Sequence, residues 1–385
     1  MTGNPRARDL GLPFSGTPGP DNALTDVPGV LVGYSTIVDG NEVLGTGKGP
    51  VRTGVTAILP KGRHDRQKPV WAGHYNLNGN GEMTGTHWIN EAGYFTSPIC
   101  ITNTHSVGMV HHAVTGWMSR QYPTDFVDAH AWAMPVVAET YDGPANDING
   151  RHVTEEHALE AIETARDGLP QEGNVGGGAG MMTYEFKGGT GTSSRAVSLG
   201  NSNWTVGALV QSNFGARHQL SILGVPVGLE MPQDAPNSEA GLSEQGSIIV
   251  IIGTDAPLLP NQLRRLAKRG ALGIARTGSS GGHYSGDIIL AFSVANDRET
   301  NRRGMEEPDF LQTMTCIDDH YLDIIYEAAV QSVEEAIINA MVAAQTVPLI
   351  KPAGKFWTAI DHKQLRDIMA KYNRLNDQQN DQQND

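Results

Sequence analysis

Residues 247–254 read SIIVIIGT, an unbroken run of apolar and mostly β-branched side chains. Because it does not alternate with polar positions, it suits a strand covered on both faces rather than one with a face to water. The segment before it, MPQDAPNSEAGLSEQG at 231–246, is polar, lacks apolar periodicity and reads as an exposed linker. A strand buried on both sides requires layers of other elements above and below it.

The rest of the chain supplies them. DIILAF at 287–292 is a second strand of the buried type, and shorter strands are predicted at Val30–Val32, Val55–Leu59 and Pro135–Glu139. SRAVSLG (194–200) and TVGALVQSNFG (205–215) read as neighbouring strands joined by an Asn-rich turn. Thr154 caps a helix with Glu155 and Glu156 in its first turn and Ala158, Ile162 and Ala165 on one face. Pro260 starts another, with Leu263, Leu266, Ala267 and Ala271 opposite Arg264, Arg265, Lys268 and Arg269. A third is expected from Asp319 to Ala344, its alanine-rich and apolar surface a candidate subunit contact. GHYNLNGNGEMTGT (73–86) is a substrate-facing loop or, more plainly, a complicated connection; GNVGGGAG (173–180) is either close-packed backbone or a flexible loop. The tail from Leu375 lacks the apolar area to order itself. Alternating strands and helices favour a layered α/β or α+β body, while no G-x-G-x-x-G in a βαβ setting and no H-E-x-x-H is found.

Charge narrows the partners. The formal net charge is -14, which disfavours nucleic acid and anionic membrane surfaces and suits an amine-bearing ligand. Cys100 and Cys316 lie far apart with no metal-binding spacing, so both read as small core residues. The N-terminal residues lack an apolar h-region and no apolar stretch reaches the ~18 residues of a membrane span, giving a cytoplasmic protein as the expectation.

The Gly246-Ser247 junction has a chemistry of its own. A serine that opens a buried strand after a glycine and a linker is either a plain strand edge or a nucleophile awaiting release. In the second case its hydroxyl attacks the preceding carbonyl, and glycine at 246 leaves the approach open and tolerates strained angles. Once cut, Ser247 carries an α-amine with a reference pKa of about 7.7–8.0, near enough to neutrality to act as base toward its own hydroxyl. The competing match to G-x-S-x-G, Gly278-Ser279-Ser280-Gly281-Gly282, follows a helical segment where that elbow needs a strand. His283 and Asp287 are near it in sequence, which alone makes no triad.

A series of stretches in one order carries a resemblance: TDVPGVLVG, GHYNLNGNGEMTG, PVVAETYDG, GGGAGMM, LVQSNFG, GSIIVIIGTDAPL, RRLAKRGALGIARTG and GHYSGDIILAFS. The chain resembles the L-aminopeptidase/D-esterase family, which includes the β-peptidyl aminopeptidases. The resemblance implies an α+β fold, a four-layer αββα sandwich like that of N-terminal-nucleophile hydrolases. It implies a single catalytic domain over 1–374, cut into 1–246 and 247–385, with 375–385 a disordered tail. By resemblance Ser247 is the nucleophile, and Ser285 with the carboxylate of Asp287 assists it through hydrogen bonds to the serine and its amine; a related member has glutamate at the latter position. Asn213 and Tyr141 are implied as donors to the oxyanion, and Glu139 as the partner of the substrate's ammonium. The implied substrate is a short peptide, amide or ester with a free amino terminus, including β- or D-amino acid substrates in some members. No metal or organic cofactor is implied. The two pieces are expected to stay together and to form a homo-oligomer, for which a tetramer is one arrangement. The rival readings are an ornithine acetyltransferase-like acyl transfer, disfavoured by serine at 247, and an uncut acidic scaffold.

Overall fold

The computed structural model of the chain describes residues 4–40, 45–240, 246–297, 311 and 313–376. The two apolar runs form strands at Ser247–Thr254 and Gly286–Ser293 in which every residue is buried. In chain order the strands are β1 (Leu31–Asp39), β2 (Val51–Leu59), β3 (Val70–Asn76), β4 (Tyr94–Phe95), β5 (Ile99–Asn103), β6 (Val136–Thr140), β7 (Met182–Thr183), β8 (Phe186–Lys187), β9 (Gly189–Leu199), β10 (Ser202–Asn213), β11 (Ser247–Thr254), β12 (Gly286–Ser293), β13 (Val347–Ile350) and β14 (Ala353–Trp357). One sheet runs β1-β2-β5-β6 and a larger one β4-β3-β12-β11-β10-β9, while β7-β8 and β13-β14 are hairpins. β11 is parallel to β12 and antiparallel to β10, so it is hydrogen-bonded on both edges.

The alternation along β11 shows why all its residues are apolar. Ile249 and Ile251 face the smaller sheet, in a core with Ile58, Ile101 and Ala138. Ile248, Val250 and Ile252 face the other way, in a core with Leu263 and Leu266 of the helix Pro260–Arg276 and Val333 and Ile337 of the helix Leu322–Val342. Each such side chain contributes roughly 1.5–3 kcal/mol by leaving water. The outer face of the smaller sheet, with Val55, Ala57, Cys100 and Val137, is covered by the helices Val107–Gln121 and Glu155–Glu163. Helix, sheet, sheet, helix is the four-layer α+β sandwich expected. The glycine run after the second of those helices forms a tight turn, Gly176–Gly180, wedged between the sheets. A Cβ on Gly177 would lie 2.2 Å from Gln211 Oε1 and 2.8 Å from the carbonyl oxygen of Ile101, so this backbone is close-packed and not a flexible loop.

Four expectations change. The last long helix is entered by a 3-10 turn at Asp319–Tyr321, and its alanine-rich surface is buried inside the chain against β9, β10 and its neighbouring helix, leaving little of it for another subunit. Cys316 is exposed, and only Cys100 is a core residue. The linker is ordered as far as Ala240, with a short helix at Pro236–Glu239, and its residues 241–245 lie outside the described ones. Leu375 packs on the core and the Asn376 N–H donates to the Gly11 carbonyl at 2.9 Å, so the ordered chain runs past the expected start of the tail; 377–385 lies outside the described residues. No helix among the described residues is long and apolar enough to cross a membrane.

Candidate active site

β11 begins at Ser247, where its register partners are Asn213 at the end of β10 and Gly286 at the start of β12. Ser247 is 4 % exposed and borders a cleft of about 350 Å³ lined also by Asn80, Thr104, Glu139, Tyr141, Gly246 and Tyr284. The carbonyl oxygen of Gly246 accepts the Gly286 N–H at 3.3 Å, which draws electron density from the carbonyl carbon. Gly246 does not use a left-handed backbone. It is required by close packing, since a Cβ there would lie 2.4 Å from the Asn213 carbonyl oxygen and 2.5 Å from Phe214 Cα.

Beside it, Asp287 is fully buried and bonded on both oxygens. Oδ1 accepts from the Ser285 hydroxyl at 2.6 Å and Oδ2 from Asn78 Nδ2 at 2.8 Å, while the Asp287 N–H donates to Asn78 Oδ1 at 2.6 Å. Burial pushes this carboxyl above the usual carboxylate range, and the bonds from Ser285 and Asn78 pull it back toward ionisation. The Ser285 carbonyl accepts the Asn80 N–H at 3.1 Å, and Asn80 Nδ2 donates to the Tyr284 carbonyl at 2.7 Å. The loop after β3, whose plainer reading was a connection, thus builds one wall of the cleft.

A further part of the lining comes from the end of β6. Glu139 Oε1 accepts the Glu82 N–H at 3.0 Å and Oε2 accepts the Thr104 hydroxyl. Burial raises the carboxyl of Glu139, with these bonds opposing the shift. Tyr141 is 45 % exposed and its ring lies over Gly143, where a Cβ would come within 2.3 Å of the phenol oxygen. Asn213 is held from both ends of its amide: Nδ2 donates to the Tyr141 carbonyl at 3.0 Å and Oδ1 accepts the Met182 N–H at 3.0 Å. That uses one of the two N–H groups on Nδ2.

The structure therefore gathers Ser247, Glu139 and Tyr141 around the cleft, with Gly246 beside them. Ser285 and Asp287 bond to each other and Asn213 adjoins Ser247 in the ladder. Sequence reasoning passed over Asn78, Asn80, Thr104 and Tyr284 as individual residues; an Asn-rich loop and the GHYSGD stretch hinted at three of them, and nothing marked Thr104. The segment Gly278–Gly282 leads from the helix Pro260–Arg276 into β12, the reverse of a nucleophile elbow, and His283 is exposed against the ring of Tyr284. A larger hollow of about 810 Å³ between β3 and the start of the helix Pro260–Arg276 contains none of these cleft residues. Among the described residues no group of three or more His, Cys, Asp or Glu is placed to hold a metal ion.

The sequence profile of Peptidase family S58 matches residues 22–352. Beta-peptidyl aminopeptidase BapA of Sphingosinicella microcystinivorans is 51% identical over 382 residues, covering 96% of this chain and 93% of that protein. The structure of the L-aminopeptidase D-Ala-esterase/amidase of Ochrobactrum anthropi, a serine aminopeptidase with a variant of the Ntn hydrolase fold, superposes with a TM-score of 0.90 at 50% identity, covering 97% of this chain and 100% of that one. A Burkholderia sp. beta-aminopeptidase gives 0.85 at 42% identity, with 95% and 99% covered. The αββα sandwich, together with this extent of matching, shows that the chain belongs to peptidase family S58 and is a serine aminopeptidase of the N-terminal-nucleophile hydrolase fold.

Proposed function

We propose that the chain cuts itself between Gly246 and Ser247 and then releases small N-terminal residues from short peptides, amides or esters. The observation that carries this reading is the position of Ser247 at the buried strand end, on the cleft, with the Gly246 carbonyl polarised by the Gly286 N–H. In the first reaction the Ser247 oxygen bonds to the Gly246 carbon, the C–N bond breaks, and the nitrogen takes up the hydroxyl proton as an amine. Water then hydrolyses the ester, leaving a carboxylate on Gly246 and a free hydroxyl and α-amine on Ser247. In turnover that amine takes the hydroxyl proton as the substrate carbonyl is attacked, passes it to the leaving amine or alcohol, and then takes a proton from the water that hydrolyses the acyl-serine ester and frees the Ser247 hydroxyl. Asn213 and the Tyr141 phenol supply N–H and O–H to the oxyanion, Glu139 meets the substrate's ammonium, and Ser285 with Asp287 holds the amine and hydroxyl of Ser247 in line.

Substrates with β-amino acid or D-alanyl amino termini are consistent with the names of the relatives and with the small cleft. The ornithine acetyltransferase-like and scaffold readings gain no support from the matches. The two pieces stay associated because β11 and β12 of the second lie between β3 and β10 of the first. The processed pair assembles further into a homo-oligomer through a surface other than the last long helix. Mass spectrometry with N-terminal sequencing of the purified wild type tests the cut: the second fragment should begin at Ser247, and any other start refutes the assignment.

A pH prediction follows from Asn78, whose bond favours the ionised form of Asp287. Asn78→Ala should let the carboxyl titrate at higher pH and shift the acid limb of the kcat/KM profile upward. An acid limb that stays in place would remove Asp287 from the reacting groups.

A further inference from the structure

The turn of the β7–β8 hairpin is Tyr184-Glu185, and both residues have positive φ, 51° and 61°. Two-residue hairpin turns with positive φ at both positions favour Asn-Gly, and a bulky aromatic followed by a glutamate is strained there. The side chains show what holds them. The Tyr184 hydroxyl is paired with Thr277 Oγ1 at 2.8 Å in the core. Glu185, 1 % exposed, directs its carboxylate at the segment leading to Gly246: Oε2 accepts the N–H groups of Asn237 and Ser238 at 2.9 Å each, and Oε1 accepts the Ser238 hydroxyl and the Arg217 N–H, the latter at 3.2 Å.

Arg217, 2 % exposed, grips the same segment from the other side. Its Nη1 donates to the carbonyls of Met231 at 2.8 Å and Gln233 at 2.6 Å, Nη2 to those of Glu185 at 2.8 Å and Asp234 at 3.3 Å, and Nε to that of Tyr184 at 2.9 Å. All five N–H groups of a guanidinium are thereby spent on backbone carbonyls, three of them in residues 231–234. The guanidinium also stacks on Phe186, 3.3 Å from the ring centroid. Burial pushes it down to about 10, which leaves it cationic at neutral pH. Arg217 stands four residues beyond Asn213, on the turn whose Phe214 lies against Gly246.

From this geometry we infer that Glu185 and Arg217 are positioning residues for maturation: they clamp residues 231–238 so that the Gly246 carbonyl is presented to Ser247, and they take no part in turnover once the chain is cut. This rests on the self-cleavage reading above. It is distinct from it, because the clamp touches neither the scissile bond nor the cleft.

The test is a processing time course of full chains made by cell-free translation and read on denaturing gels, with kcat of the purified processed fraction measured on an aminoacyl anilide. Glu185→Gln turns part of the carboxylate into a donor facing N–H groups, and Arg217→Lys loses the planar five-donor fork while keeping the charge. Both are expected to slow processing at least tenfold and leave kcat of the processed fraction within about twofold of wild type. Wild-type processing rates, or a loss of kcat as large as the loss of processing rate, would overturn the clamp, the second outcome marking a general structural role. Ser238→Ala removes one hydroxyl from the carboxylate without disturbing the core, and decides the matter if the buried variants fold poorly: slowing of about threefold is expected, and an unchanged rate refutes the inference. A wild type not cut before Ser247 sinks the underlying reading, whereas a wild type cut there beside variants cut as fast sinks only the clamp.

Discussion

Replacement of Ser247 by alanine is expected to leave a single band near the full 41.3 kDa and to lower kcat to the order of 10⁶-fold below wild type, the scale on which loss of a covalent nucleophile acts. On the proposed mechanism the two losses have one cause, the same oxygen attacking first the Gly246 carbon and afterwards the substrate. Alanine fits the site without damage: the position is held by backbone ladder bonds to β10 and β12, and its neighbours on β11 are all buried. Unfolding temperature should therefore change little. Intact mass, gel pattern and turnover of one preparation check the prediction together. A Ser247→Ala chain that was cut at the same bond, or that retained turnover, would place the nucleophile elsewhere.

Asn213→Ala should lower kcat about 10²–10³-fold with a smaller change in KM, corresponding to about 2.7–4 kcal/mol of lost transition-state stabilisation. The structural part of the loss can be separated. Asn213 ties the Tyr141 carbonyl to the Met182 N–H, and Asn213→Asp keeps the acceptor for Met182 while removing the donors. If charge stabilisation is the role, the aspartate variant is as inactive as the alanine variant or more so, since it puts a carboxylate beside a developing negative charge. A loss under tenfold in Asn213→Ala would remove the residue from the oxyanion site.

The layers were legible where burial alone decides the side chain. SIIVIIGT and DIILAF are apolar on both faces because both faces meet cores, and that pattern survives in the sequence. The order β4-β3-β12-β11-β10-β9 is not written there, since apolar patterning says which strands are covered but not which pair. The Thr154 cap was legible, and its partner is the His157 ring, whose Nδ1 accepts the Thr154 N–H at 3.0 Å. Around the site, the step from linker to strand marked Gly246 and Ser247, and a strand end marked Glu139. Asn78 was hidden because its meaning lies in a bond to Asp287, 209 positions away. The linker was misread because, the Ser238 hydroxyl apart, its anchors are backbone carbonyls and N–H groups gripped by Arg217 and Glu185, which leave little trace in its own side chains. The alanine-rich helix was read as a candidate subunit contact because small apolar surfaces signal close packing without naming the partner, which is the chain's own sheet.

The placement of β11 and β12 between β3 and β10 fixes an order of events. A polypeptide ending at Gly246 would have to hold open a slot spanning three strand spacings, about 14 Å, through the middle of its larger sheet, with the edges of β3 and β10 unpaired. If the chain is cut at this bond as proposed, scission must therefore come after folding, and two genes divided at that codon would encode fragments dependent on each other from the first moment of collapse.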